Sequence, residues 1–225
     1  MKKQLLSMSL LVSLAAASFS ANAAMILGID AGYYVWQPTI SGSVDNGATD
    51  VAAAGYTDGT NGVAYLAFEH PVPFVPNVKL QMTEMAADGS AGNAIDLAHT
   101  DSVFYYEILD NFVSVDVGLV ARAFNGSFNI GGTPSVMDDT VYMLYTAAEV
   151  IIPFAGLSVG MEINEDMSFD DNAISDIKMR LRYEILSGLG VELGQRTVTM
   201  SLKESAPLTK DLKFDGTYIA VTYTF

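Results

Sequence analysis

The last eleven residues, Asp215-Gly216-Thr217-Tyr218-Ile219-Ala220-Val221-Thr222-Tyr223-Thr224-Phe225, constrain the fold more than any other stretch. Thr217, Ile219, Val221, Tyr223 and Phe225 share one face of an extended strand. Tyr218, Ala220, Thr222 and Thr224 share the other. Alternation with a period of two marks one apolar face and one more polar face. The sequence stops on an aromatic residue at the tip of this strand. An ordinary edge strand is one reading of that. The other is the closing strand of a membrane β-barrel, which turns one face to hydrocarbon and sets aromatics at the interface.

The same period recurs along the chain. Strands are predicted at 27–36, 63–69, 78–85, 102–109, 113–123, 140–150, 157–164, 174–184, 191–200 and 213–225. Pro38 ends regular pairing after the first. Between the strands, long polar segments alternate with short turns. The long ones cover about 41–61, 86–100, 125–139, 165–172 and 202–211. The short ones are the proline-stiffened stretch from His70 to Asn77, Asp110-Asn111, Pro153-Phe154-Ala155-Gly156 and Ser187-Gly188-Leu189-Gly190. Strict alternation of this kind predicts an all-β fold: a ten-stranded antiparallel up-and-down transmembrane barrel with both termini periplasmic. A soluble sandwich also has regular strands and turns, but it leaves the loop asymmetry unexplained. Eight or twelve strands would fit a different reading of the weaker segments.

The front end points the same way. Met1-Lys2-Lys3 is a basic n-region, residues 5–17 are an apolar h-region and Ala21-Asn22-Ala23 is a small-x-small cleavage site. Residues 1–23 therefore read as a secretory signal peptide, leaving 24–225 as one barrel domain. Half of all residues are hydrophobic, yet the formal net charge is −15. Without Lys2 and Lys3, nine basic residues face 26 acidic ones, a net of −17. A barrel reconciles the two because its apolar face arises by alternation, not by long runs. The acidic balance disfavours nucleic acid and favours cations or basic partners. There is no cysteine, so neither disulfides nor Cys-held metals are available.

The basic residues supply a separate constraint. Lys79, Arg122, Lys178, Arg180, Arg182 and Arg196 all fall on the strand face opposite the apolar one. The alternation puts Asp30, Glu69, Glu107, Asp116, Glu149, Glu162, Glu184 and Glu192 on that face too. The sixth strand is ambiguous; setting Tyr142, Leu144, Ala148 and Val150 outward puts Glu149 inside. A charge turned to lipid at mid-membrane costs about 2–4 kcal/mol, so these groups are expected in the lumen. They would form a salt-bridged polar plug, or the wall of a narrow solute channel in which Lys178, Arg180 and Arg182 face carboxylates.

The remaining acids crowd the loops: Asp45, Asp50 and Asp58; Asp88 and Asp96; Asp138 and Asp139; Glu165, Asp166, Asp170 and Asp171. Divalent cations take such oxygens, but the spacing matches no complete calcium loop. Solvated loop acids are the plainer reading. No cofactor motif is present. Enzymatic chemistry at a barrel rim would need a histidine with a carboxylate or serine. His70 lies in the proline turn, at the other end. His99, with Asp96, Asp101 and Ser102 near it in sequence, is the only candidate, and adjacency in sequence does not make a triad. The expectation is a protein without enzymatic activity.

Several stretches carry a resemblance. They are Gly28-Ile29-Asp30-Ala31-Gly32 with Trp36; Glu69-His70-Pro71-Val72-Pro73 with Pro76-Asn77; Tyr105-Tyr106-Glu107-Ile108-Leu109-Asp110; Gly190-Val191-Glu192-Leu193-Gly194; and Phe214-Asp215-Gly216 through Phe225. Over the whole mature chain these resemble a family of small Gram-negative outer-membrane β-barrel proteins labelled by a Gly-Gly motif. The resemblance implies residence in the cell outer membrane, in contact with its lipid and lipopolysaccharide, and supplies no activity. The terminal strand, with Tyr223 and Phe225, also resembles the signal by which the outer-membrane assembly machinery takes up its clients. The sequence thus leads to a structural or binding barrel with a charged, largely filled lumen and acidic external loops, with a narrow porin-like channel as the alternative.

Overall fold

The computed structural model describes residues 27–44, 49–51, 55–72, 74–110, 112–130, 133–168, 173–202 and 210–225. The segment 1–23, expected to be a signal peptide, lies outside them, as do Asp45, Asp170 and Asp171. The described strands are β1 (Gly28–Val44), β2 (Thr49–Asp50), β3 (Asn61–Glu69), β4 (Asn77–Thr83), β5 (Ala86–Asp88), β6 (Ala94–Asp96), β7 (His99–Asp110) and β8 (Val113–Phe124). They continue with β9 (Gly126–Ile130), β10 (Thr133–Met137), β11 (Thr140–Ile152), β12 (Leu157–Asp166), β13 (Ala173–Leu186), β14 (Leu189–Leu202) and β15 (Lys210–Thr224). The only helical element among them is one 3-10 turn, Ser90–Gly92.

Ten of the strands form a closed antiparallel barrel. β1, β3, β4, β7, β8, β11, β12, β13, β14 and β15 each pair with the next, and β15 pairs back onto β1. Closure matters physically because it leaves no row of unpaired amides on the wall. Cα partners followed from Ile29 run through Phe68, Val78, Phe104, Leu119, Leu144, Glu165, Ser175, Thr199 and Lys213. They return to β1 at Ser41, twelve residues further along. With a rise of about 3.3 Å and a strand spacing of about 4.8 Å, that stagger gives a tilt of about 40° and a radius of about 10 Å.

The two faces of the wall separate by residue parity. Outward positions carry exposed Leu80, Met82, Val117, Leu119, Val159, Met179, Leu181, Leu193, Ile219 and Val221. On β8 this apolar face runs from Val113 to Ala121, which spans about 20 Å along the barrel axis at that tilt. Above it, toward the long loops, outward positions turn polar: Gln37, Glu84, Thr100, Glu165, Ser175, Thr199 and Asp215. Inward glycines make room for tyrosine rings lying across them. A Cβ on Gly32 would stand 2.4 Å from Tyr65 Cε1, and one on Gly194 would stand 2.3 Å from Tyr218 Cζ.

Three expectations change. β1 does not stop at Pro38 but continues to Val44, paired with β15 throughout and, at Ser43 and Val44, with β2. Pairing of β1 with β3 ends at Trp36, so the missing amide of Pro38 falls where the β3 side has no partner to offer. β4 ends at Thr83, and Met85 is a buried plug residue instead of a strand tip. The second and third long segments are not irregular. They carry two hairpins, β5–β6 and β9–β10, which join through β6 and β9 into a separate four-stranded sheet over the long-loop end. Ala87, Ile95, Phe128 and Met137 bury one face of this sheet. Its pattern is too short to register as strands in a sequence read for ten-residue spans.

Closure can be tested by cross-linking, because no native cysteine competes. Ala31 and Tyr223 are direct Cα partners across the β1–β15 seam. Partners in such a ladder stand about 4.5–5.5 Å apart, within the range a disulfide spans. The Ala31→Cys/Tyr223→Cys protein should form an intramolecular disulfide under mild oxidation, seen as a shift in unreduced gel mobility. Absence of the bond in folded protein would open the seam.

Candidate functional site

The inward face is a stack of charged tiers, and β13 shows its logic. Moving from the short-turn end toward the long loops, β13 presents Arg182, Arg180, Lys178, Asp176 and Ile174 at alternate positions. Each meets partners delivered by other strands at the same level.

Nearest the short turns, the Arg180 guanidinium on β13 pairs with the Glu149 carboxylate on β11. Arg182 donates to Thr224 Oγ1 at 2.8 Å, and Thr224 donates to Asp30 Oδ1 at 3.0 Å. Three other carboxylates at this end are met by neutral donors. Tyr65 donates to Asp30, Tyr105 donates to Glu69 Oε1 at 2.9 Å, and Tyr218 donates to Glu192. Tyr65 lies across Gly32, and Tyr218 across Gly194, so the glycine positions bring these hydroxyls to their acids. Glu184 accepts from the Gly188 amide at 3.2 Å, while Glu107 is exposed and Asp116 half-buried with Oδ1 lacking a hydrogen-bond partner.

In the middle tier one carboxylate serves two ammonium groups. Glu162 Oε2 on β12 stands 2.8 Å from Lys79 Nζ and 3.3 Å from Lys178 Nζ. Lys79 also lies over the Tyr145 ring, and Lys178 over Tyr34. The upper tier is the most buried. Arg122 grips Asp101 with Nε and Nη2 at 2.8 Å each, and the same Nη2 reaches Asp176 Oδ2 at 2.7 Å. Arg196 takes Asp176 from the other side, at 3.0 Å and 2.6 Å, and donates to Tyr34 at 3.1 Å. Its guanidinium lies 5.0 Å from the Trp36 ring centre. Two guanidinium groups on one buried carboxylate leave its lone pairs satisfied, which is the condition for keeping such charges away from water.

Exposure falls steadily through the tiers. The side chains of Arg180 and Glu149 remain 21% and 16% exposed, Lys79 and Glu162 9% and 6%, and Arg122 and Asp101 0% and 2%. Above the upper tier most of the interior is apolar, with the polar side chains of Asn61, Thr83 and His99 buried there. Trp36, Met85, Leu97, Ile174, Met200 and Phe214 fill the mouth beneath the cap sheet. Solvent exposure of the charged side chains therefore falls from the short-turn end toward the mouth. In the loops, burial pushes the Tyr56 hydroxyl up from its ordinary pKa.

Every predicted interior residue is accounted for above, but ion pairing gathers only some of them. Asp30, Glu69, Glu107, Asp116, Glu184 and Glu192 have no salt bridge among the described residues, and neither has Arg182. The charge network expected from the sequence left out Asp101 and Asp176, which hold the upper tier, although alternation turns Asp176 inward. Asp176 was legible as the next inward position before Lys178. Asp101 lay one residue beyond the predicted start of its strand.

His99 is buried in the mouth. Its Nδ1 stands 2.8 Å from the Leu97 carbonyl and its ring packs against Phe124. Asp101 belongs to Arg122, Asp96 accepts from the Ala98 amide, and Ser102 sits on the opposite strand face. These residues do not converge. Among the described residues no group of three or more His, Asp or Glu side chains is disposed to hold a metal ion. Tyr223 and Phe225 form an edge-on ring pair, 4.4 Å between centres, on the outer wall at the short-turn end.

The geometry defines the class: a closed ten-stranded barrel with an apolar outer wall, an ion-paired interior and a capped mouth. No family model matches the chain, and no curated protein matches it either. The Gly-Gly family resemblance thus has no match behind it. Among solved structures, the chain is similar to Neisserial surface protein A at 9% identity, covering 88% of this chain and 97% of that one, with a TM-score of 0.41. A Pseudomonas aeruginosa FadL homologue matches at 7% identity, 89% and 90% coverage, and a TM-score of 0.38. A loop-deletion mutant of OmpT, an outer membrane protein of Vibrio cholerae, matches at 10% identity, 88% and 99% coverage, and a TM-score of 0.23. At these values the likeness carries no argument about what this chain does.

Removing one partner from a buried ion cluster typically costs about 3–5 kcal/mol, because the remaining charge stays buried. Asp176→Ala strands two guanidinium groups and should lower the unfolding free energy of the detergent-folded protein by that order, read as a lower urea midpoint. Glu184→Ala, at an exposed carboxylate, should leave the midpoint nearly unchanged. Equal effects from the two would contradict the graded tiers.

Proposed function

We propose that this chain is an integral protein of the Gram-negative outer membrane whose barrel is closed to solute flow. The first 23 residues would be removed as a signal peptide on export. The short turns and both termini would face the periplasm, and the long acidic loops the exterior. The observation that carries this reading is the partition of charge. Lys79, Arg122, Lys178, Arg180, Arg182 and Arg196 point into the barrel and Lys213 faces outward only beyond the apolar belt, at the long-loop end of β15, while that belt, about 20 Å tall, exposes Leu, Val, Ile and Met. A water-soluble barrel gains nothing from that arrangement. A membrane barrel requires it, since a lysine or arginine on the lipid face costs about 2–4 kcal/mol near the midplane.

The closed lumen is supported by the ion-paired upper tier and the apolar mouth above it. A barrel filled in this way offers its loops as the working surface. The external loops are acidic, so their partners would be cations or basic surfaces, and the role would be structural, adhesive or binding. A narrow solute channel is the second reading, favoured by the residual exposure of Arg180 and Glu149 from the short-turn end.

Two measurements decide. The processed protein should fractionate with membranes, resist carbonate extraction and migrate faster on gels before heating than after. Recovery in the aqueous periplasmic extract without detergent would end the membrane reading. In planar bilayers the folded protein should give no stable conductance; a salt-dependent open current would transfer the reading to a channel.

A further inference from the structure

Three of the four short turns expose a phenylalanine at the tip. Phe74 on β3–β4 is 94% exposed, Phe112 on β7–β8 is 66% exposed, and Phe154 on β11–β12 is fully exposed. These turns alternate with long loops along the strand order, so the tips are separated by two strands each and follow one arc of the rim.

Two of the tips are held in strained backbone. Phe74 has φ 66° and Phe154 has φ 65°, the left-handed region that bulky side chains avoid. Such a residue persists where its surroundings fix it. At Phe74 they do. Within the same turn the His70 ring takes the Val72 amide on Nδ1 at 3.2 Å and meets the Pro76 carbonyl through Nε2 at 3.3 Å. The His70 amide is held by Asn77 Oδ1 at 3.0 Å. Tyr106, on the outer wall of β7, donates to the Phe74 carbonyl at 3.0 Å. That last bond draws the turn over the outside of the barrel, where the apolar belt is, and not across its open end.

The turns are also uncharged in the relevant sense. No lysine or arginine occurs in residues 70–76, 111–112, 153–156 or 187–188. An electrostatic dock for an acidic partner is absent, while the apolar belt continues into the tips. We propose that Phe74, Phe112 and Phe154 insert into the boundary between headgroups and acyl chains of the near leaflet. They act as a rigid anchoring rim that fixes the depth of the barrel in the bilayer. Amphipathic and aromatic groups prefer this level of a membrane. The inference rests on the membrane reading above and adds an occupant for the turn tips.

Tryptophan scanning tests it in the full-length protein. The chain has a single tryptophan, Trp36, which is wholly buried, so its background can be subtracted. Phe74→Trp, Phe112→Trp and Phe154→Trp proteins, each checked for heat-modifiable mobility, are reconstituted in phosphatidylcholine vesicles. Leu181→Trp, in the middle of the belt, is the control. Parallel vesicles carry bromines on the acyl chains either close to the glycerol backbone, at the depth of the tips, or near mid-chain, at the depth of Leu181→Trp, and acrylamide is the aqueous quencher. The expected result is blue-shifted emission, loss of intensity to the bromolipid and shielding from acrylamide at all three tips, unchanged when anionic lipid is added. Quenching of the tips by acrylamide alone, with Leu181→Trp still quenched by bromolipid, overturns the rim and leaves the membrane reading intact. Tips shielded from both quenchers are covered by protein, a second copy of the chain, and that too overturns the rim. If Leu181→Trp also escapes the bromolipid, the spanning barrel itself is refuted.

Discussion

Asp176 carries the tightest constraint in the molecule. It is buried inside a closed wall, between two guanidinium groups. Arg122 and Arg196 reach it from β8 and β14, and Asp101 then neutralises the excess positive charge. Desolvating each of these ions costs several kcal/mol even after relaxation. The arrangement holds because every member has a partner of opposite charge at hydrogen-bond distance. It also fixes register. A slip of one residue on β13 would turn Asp176 outward and bring Ile177 into the charged layer.

The wall follows from the same need. Charged and apolar side chains alternate along each strand, so one face must be enclosed before the other can be exposed. Closure into a cylinder encloses it without leaving an edge. Width then decides what can fill the interior. Ten strands enclose a narrow interior, and the tyrosines that rest on Gly32 and Gly194 take part of it. Polar contents near the short turns grade into mostly apolar contents at the mouth, and side-chain exposure falls along the same direction.

Much of this was legible in the sequence, for identifiable reasons. Strand count and facing follow from period-two alternation, which is strong at Val113 to Arg122 and at Ile177 to Tyr183. The interior position of the basic residues follows from the same alternation. Other features were not legible. The hairpins Ala86–Asp96 and Gly126–Met137 use strands of three to five residues, below the length at which alternation can be read. Their pairing joins segments some thirty residues apart, and local pattern does not encode that. Asp101 looks like any other acid in a chain with 26 of them, and although alternation turns Asp176 inward, only register brings the two beside Arg122. The tyrosine–carboxylate pairs depend on which glycine lies under which ring, again a matter of pairing across strands.

The central claim is that oily side chains meet hydrocarbon while ionised ones are enclosed. Nitroxide labels placed singly at residues 177 to 183 on β13 read both faces of one strand in reconstituted bilayers. Odd-numbered positions should collide readily with dissolved oxygen and be shielded from a water-soluble nickel chelate; even-numbered positions should be far less accessible to oxygen. Ready access of the nickel chelate to positions 177, 179, 181 and 183, or loss of the two-residue period, would contradict the account.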